Sequence, residues 1–336
     1  DQDQHVEQRW LEVLRQMQGP SGLLYAPKTG RPWCVWDFKK YAPWCNGEDS
    51  QGDHYVCPFL AGRALGVMTL YYLLTEDPQW KNAGRKLADG FENLAVVDGK
   101  KAHLPVTDAQ NPGTDRPSAL SHKSCIQGLA NYARCAKYEP ALDLAGKLAR
   151  WVMEDFDYYG PDGQFLEEYP GASHVHFHGR SGVHFHGHTG LLVALLDYGT
   201  ISGDQEAVDF AHRGFRYGMT QGDTILGCFP EWLDVAFATS LEICELADMI
   251  ALAVKLSRNG TGDYWDMADR WVRNLFVEGQ LKRADRLNWL SERIPETEFP
   301  TEIPPHHSTD RVVERNIGAF VSTLGVNDQL PGGTIY

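Results

Sequence analysis

Four stretches, DPQWKNAGRKLADGFENL (77–94), EPALDLAGKLARWVMEDF (139–156), GDQEAVDFAHRGFRYGM (203–219) and GDYWDMADRWVRNLFVEG (262–279), are variants of one text. Each begins with a turn marked by Pro, Gly or an acid and continues as an amphipathic helix centred on an alanine. The aligned alanines Ala83, Ala145, Ala211 and Ala268 stand 62, 66 and 57 residues apart. A repeat of that period signals one supersecondary unit used several times. In the last copy Tyr264, Met267, Ala268, Trp271 and Leu275 fall on one helical face. Asp77, Asp204 and Asp263 occupy positions suited to an N-cap or first-turn acid.

Each copy follows a second, more apolar helix, expected over 58–74, 121–137, 189–198 and 241–257. Pro58 suits the first helical position. Further helices are expected over 6–17 and 311–324. Helices apolar nearly all round are buried ones, and the small residues Gly62, Ala64, Gly66, Gly128, Ala130 and Ala133 permit close packing. The reading is an all-α chain, 1–336, forming one (α/α)6 toroid of helical hairpins about 60 residues long, with an inner ring inside an outer one. An open solenoid is the alternative.

Composition agrees. The chain has 336 residues, 43% of them apolar, with net charge -14 from 31 basic and 45 acidic side chains. Such an acidic balance argues against a nucleic-acid partner. No run of 18 apolar residues suggests a membrane span. The seven cysteines include no CxxC pattern. The start Asp-Gln-Asp-Gln, without Met, is read as a removed leader or an omitted beginning, and a periplasmic or secreted location is expected. A homo-oligomer is compatible with the sequence.

In such a barrel the loops entering the inner helices converge on one mouth. Polar residues cluster there: Asp53 and His54 before the first inner helix, Asp115, Arg116 and His122 at the second, and Glu231, Asp234 and Glu242 before the fourth. Before the third lies ASHVHFHGRSGVHFHGHTG (172–190), where His174, His176, His178 and His184, His186, His188 alternate around Arg180-Ser181-Gly182. Period two predicts a short β-hairpin with an imidazole face. Neutral imidazoles suit zinc or another divalent metal, and equally suit sugar hydroxyls or a carboxylate. Glu242 and Glu245 share a helix face, whereas Glu242 and Cys244 do so only if Glu242 is still outside the helix. Trp36 and Trp44 belong to an aromatic-rich loop region able to stack on sugar rings or to pack across the barrel's end.

The segment LEICELADMIALAVKLSRNGTGDYWDMADRWVRNLFVEG (241–279) resembles the (α/α)6 glycoside hydrolases, in particular the β-L-arabinofuranosidase family. The matching positions are Glu242, Cys244, Gly262, Asp263, Asp266, Asn274 and Gly279. The likeness covers about 40 residues; over the rest it is architectural. It implies that Glu242 and Cys244 bind zinc with a later Cys-Cys pair, one of whose thiolates is the nucleophile. It also implies that an upstream acid, Glu231 or less plausibly Asp234, is acid/base. This chain has no Cys-Cys pair and ends near where one is expected. Either a further segment completes the ring, which the hairpin count favours, or carboxylates and histidines replace the thiolate.

The chain also resembles unsaturated uronyl hydrolases and toroid polysaccharide lyases in fold. The expected activity is exo-acting hydrolysis of a plant or algal polysaccharide fragment, such as a uronide, with no obligatory cofactor. Glu231 or Glu242 is the expected general acid, and Asp53, Asp115 and Asp234 are candidates for its partner. His54, Arg116, His122, Arg180, His184, His186 and His188 are expected around the oligosaccharide or glycoside. The alternatives are lyase or uronyl hydrolase action, a sugar isomerase or epimerase built on a histidine pair, and a non-catalytic carbohydrate-binding toroid.

Overall fold

The computed structural model describes residues 4–27, 54–104, 119–166, 183–233, 241–283, 285, 288–289, 312–320 and 323–324. Helix α1 (Gln4–Gln16) precedes four hairpins. These are α2 (Pro58–Thr75) with α3 (Pro78–Leu94), α4 (Ala119–Ala136) with α5 (Glu139–Glu154), α6 (Phe185–Ser202) with α7 (Gln205–Met219), and α8 (Ile243–Arg258) with α9 (Trp265–Asn274). Helices α2, α4, α6 and α8 pack side by side as an inner layer, and each is backed by the outer helix that follows it. The chain is therefore all-α in the α/α-toroid arrangement, with the described hairpins forming consecutive sectors.

Local chemistry accounts for the breaks. Asp77 accepts a hydrogen bond from the Gln79 N–H, and Asp204 one from the Ala207 N–H, capping α3 and α7. Asp263 makes no such cap, because α9 begins after Tyr264. Pro58 opens α2 where its missing N–H costs nothing. Glu76 and Gly203 end α2 and α6 in left-handed conformations.

The inner helices meet without intervening side chains at one seam. A Cβ on Gly62 would stand 2.5 Å from the Ser124 carbonyl carbon, and one on Gly128 2.5 Å from the Gly62 carbonyl oxygen. Only glycine allows α2 and α4 this approach. The core is built from two apolar clusters that meet on α6: Leu191, Ala194 and Leu195 join the first, while Phe185, Leu192, Val193 and Leu196 join the second. Polar groups tie the inner layer together: Gln127 of α4 donates to Asp197 of α6 at 2.9 Å, and Lys255 of α8 pairs with the same carboxylate. Helix α2 keeps an exposed apolar face of Leu60, Val67, Leu70, Leu73 and Leu74.

Strands are few and short. Strand β1 (Tyr25–Pro27) pairs with β2 (His54–Val56), β3 (Val96–Asp98) with β4 (Lys101–His103), and β5 (Leu241–Glu242) with β6 (Thr323–Leu324), all antiparallel.

Two expectations are corrected. The second arm of the proposed histidine hairpin is not a strand. Helix α6 begins at Phe185, four residues before the expected start, and takes in His186 and His188, while His184 is its N-cap. Alternating polar and apolar residues at a helix start mimic period two over so short a span, and the apolar run that follows carries the helix. His174, His176 and His178 lie outside the described residues. The helix expected over 311–324 is reduced to α10 (Val312–Arg315), followed by a turn and by β6. Gly318, at φ 94°, interrupts it.

Candidate active site

Four segments are laced by backbone bonds across the N-terminal ends of α6 and α8. Strand β6 pairs with β5, Leu241 bridges to Pro230, and Trp232 bridges to His184. The Phe185 N–H donates to the Glu231 carbonyl at 2.9 Å, and the Leu233 N–H to the Val183 carbonyl at 3.1 Å. This lacework delivers His184, Glu231 and Glu242 to one place: one ligand atom from each lies within 4.8 Å of the others. Glu231 is only 6% exposed. The His184 ring lies 4.7 Å from the Trp232 ring.

Behind this trio stands a second. Glu242 caps α8 with an extended backbone, φ -109° and ψ 147°, so it remains outside the helix and turns back over its first turn. The Cys244 thiol donates to Glu242 Oε2 at 3.0 Å. Glu245 completes the group, again within 4.8 Å. It is fully buried, and among the described residues neither carboxylate oxygen has a hydrogen-bond partner. Burial first, and then the charges of Glu242 and Glu231, push its carboxyl well above the ordinary range. Burial, followed by Glu245 and Glu242, raises the Cys244 thiol as well, so without a cation it is a neutral thiol. The helix dipole favours acids here, but it does not explain a sealed, unpartnered carboxyl.

A third group joins α4, α6 and α8 beside these. His186 Nδ1 donates to Asp248 Oδ2 at 2.8 Å, which leaves Nε2 to accept from Lys123 Nζ at 3.4 Å. Thr189 donates to the same Asp248 oxygen at 2.9 Å, and Lys123 Nζ is 4.0 Å from it. A Cβ at Gly190 would sit 2.0 Å from Lys123 Nζ, so the missing side chain makes room for the ammonium. Burial pushes the Asp248 carboxyl up, but Lys123, His186 and Thr189 outweigh it and hold it below its ordinary range. The His184 and His186 ring centroids are 6.0 Å apart, so this group adjoins the first.

The sequence-derived candidates divide accordingly. Glu231, Glu242, Cys244, His184 and His186 come together. His122 and His188 are fully buried in the core and do not line the mouth. His122 Nε2 accepts the Leu104 N–H at 3.2 Å, with its ring stacked 4.9 Å from Trp151. His188 stacks on Tyr158 at 3.7 Å, and its ring nitrogens face the carbonyls of His184 and Leu166. Both belong to inner helices, α4 and α6, and their side chains pack against Trp151 and Tyr158. The His54 backbone pairs with Pro27 in β2. Asp53, Asp115, Arg116, Arg180, Asp234, Trp36 and Trp44 lie outside the described residues. Lys123 and Asp248 were not singled out from sequence. Their signals were a cation at the positive end of a helix and a lone charge inside the apolar run 246–254.

For the zinc that the resemblance implies, the residues present fit in part. Glu242 and Cys244 touch, as the motif requires, and the unpartnered Glu245 carboxyl lies beside them. The cysteine pair that would complete the set is absent from the sequence.

No family profile matches this chain, and no curated protein matches it by sequence. Solved structures do match. Cellobiose 2-epimerase from Bacillus thermoamylovorans aligns with TM-score 0.61 at 14% identity, over 84% of this chain and 74% of that one. A sugar epimerase from a ruminal bacterium gives 0.58 at 12%, over 84% and 74%. A family 76 α-mannanase from Bacteroides thetaiotaomicron gives 0.56 at 12%, over 82% and 71%. At these identities the likeness is one of fold, and the fold is the α/α toroid.

Proposed function

We propose that the chain is a carbohydrate-active enzyme, a glycoside hydrolase that works at the rim where the inner helices begin. The observation that carries this reading is the convergence of Glu231, Glu242 and His184 within 4.8 Å, brought from three separate segments. Sugar epimerases and mannanases sharing the fold support it as analogy.

Glu231 is the proton donor to the leaving oxygen. Glu242 faces it, with one oxygen of each carboxylate within 4.8 Å, and is read as the nucleophile: it bonds the sugar carbon as the leaving oxygen departs with the Glu231 proton, and a water that returns a proton to Glu231 then releases the sugar. His184, steadied by the Trp232 ring, offers a nitrogen to a sugar hydroxyl. No membrane-crossing helix is found among the described residues, and the substrate is read as a water-borne glycoside.

The test is a panel of aryl glycosides and oligosaccharides that includes the arabinofuranosides and uronides implied by the resemblance. Glu231→Gln should lower kcat by about 10²–10⁴ with a small change in KM. Unchanged turnover in that variant, or no bond cleavage across the panel, would overturn the reading.

One observation favours a second reading. The neighbouring imidazoles of His184 and His186, the latter backed by Asp248, are the kind of pair that moves a proton on and off a sugar carbon. Deuterium uptake at C2 of a reducing disaccharide in heavy water, without bond cleavage, would identify an epimerase.

A further inference from the structure

A cavity of about 360 Å³ opens between α2 and α4 and shares no residue with the rim groups. That size lies within the range of small-molecule sites, which often form between packed helices. The glycine seam fixes its geometry. A Cβ on Gly62 would meet Ser124, and one on Gly128 would meet Gly62 and Leu65, so the two helices run parallel and in step. Two turns beyond the seam, Leu70 and Leu73 of α2 therefore stand level with Asn131 and Arg134 of α4, and all four line the cavity. From Gly66 to Leu73 the groove extends about 10 Å along the helix.

Its lining runs against the balance of the chain. The net charge is -14, yet the described residues around the cavity include two arginines and no acid. Arg63 lies over the Phe59 ring, 4.3 Å from its centroid. Arg134 is exposed, gives one N–H to Asn131 Oδ1 at 3.2 Å, and forms no ion pair among the described residues. The Asp197 carboxylate that Gln127 contacts from this side is already paired with Lys255. Leu70 and Leu73 supply half-exposed apolar walls. Gly66 keeps the groove open: a Cβ there would meet nothing within 4 Å, so helix packing among the described residues does not require this glycine. A glycine inside a helix costs about 1 kcal/mol against alanine.

We propose that the groove binds an anionic amphiphile, a medium-chain carboxylate, with its head on Arg134 and its chain lying along Leu73 and Leu70 toward Gly66. The guanidinium fork matches a carboxylate with two parallel hydrogen bonds. A wholly polar anion leaves the leucines unused, and an uncharged lipid leaves the guanidinium without its counter-ion. The site is separate from the rim and does not rest on the hydrolase reading.

The test is calorimetric titration of the full chain with decanoate, decanol and decyltrimethylammonium. The expected result is saturable binding of one decanoate per chain, with decanol weaker by about tenfold. Arg134→Gln should bring decanoate down to the level of decanol. Gly66→Leu fills the groove and should weaken decanoate by about tenfold or more, with the helical circular dichroism unchanged. Equal affinity for the cationic amphiphile, decanoate binding unaltered in Arg134→Gln or in Gly66→Leu, or no saturable binding would overturn the proposal. If Gly66→Leu does not fold, Arg134→Gln and the head-group series still decide.

Discussion

Asp248 is the residue on which the rim's electrostatics turn. It gathers Lys123, His186 and Thr189 from two other places in the inner layer. Removing its charge strands a buried ammonium, so Asp248→Asn should destabilise the protein by about 3–5 kcal/mol, read from chemical denaturation. The sign with pH follows from its lowered carboxyl. The contribution is present above the unfolded value near 4 and is lost as pH falls through the still lower folded value. The wild-type chain should therefore lose stability faster than Asp248→Asn below about pH 4. Part of this scale was legible in advance. Glu231, Glu242 and Cys244 stand out because acids and a thiol crowd the entrance to an apolar helix. Lys123 and Asp248 were not legible, because their meaning lies in a pairing between helices 125 residues apart (248 minus 123). His122 and His188 misled for a related reason: sequence reports that a histidine enters a helix but not which way its ring turns.

At the scale of elements, helix α2 has two faces with opposite expectations. Leu65 is fully buried, and truncation to Ala should cost about 2–5 kcal/mol. Leu70 is 53% exposed, and Leu70→Lys should shift stability by no more than about 0.5 kcal/mol. Thermal melts of the two variants check the contrast, and a large loss from Leu70→Lys would show that the face is covered. Between α2 and α4, Gly128→Ala places a methyl against the Gly62 carbonyl and should destabilise by about 1–3 kcal/mol. The outer layer carries its own pH signal. His212 Nε2 of α7 and the Tyr264 hydroxyl share a hydrogen bond at 2.7 Å. Burial first, and then Arg216, lower its ring below the ordinary histidine value. Its folded pKa lies below the unfolded one, so stability should fall as pH drops below about 6.5, and His212→Gln should flatten that slope. The helices themselves were readable, since the capping acids Asp77 and Asp204, Pro58 and the 3.6-residue pattern agree with the ends found, Asp263 being the exception. The histidine run was not, because six residues cannot separate a strand from a helix start that places two imidazoles one turn apart.

Across the whole molecule the two apolar clusters are joined through α6, which has neighbours on every side. Repeat architectures lose structure from their edges inward. Native-state hydrogen exchange should therefore find the slowest amides in α6 and faster ones in α2 and α9. Equal protection throughout would indicate one indivisible folding unit. The toroid arrangement was legible in the sequence because the repeat spacing and the doubly apolar helices leave few other ways to bury so much surface. The joining of its mouth was not, because it depends on bridges of one or two residues between distant loops, which carry no periodic signal.

Those bridges run across the ends of the rods rather than along them. The wall and the rim are thus written in separate parts of the chain, so a few stitches at the rim can be redrafted while the staves beneath keep their fit.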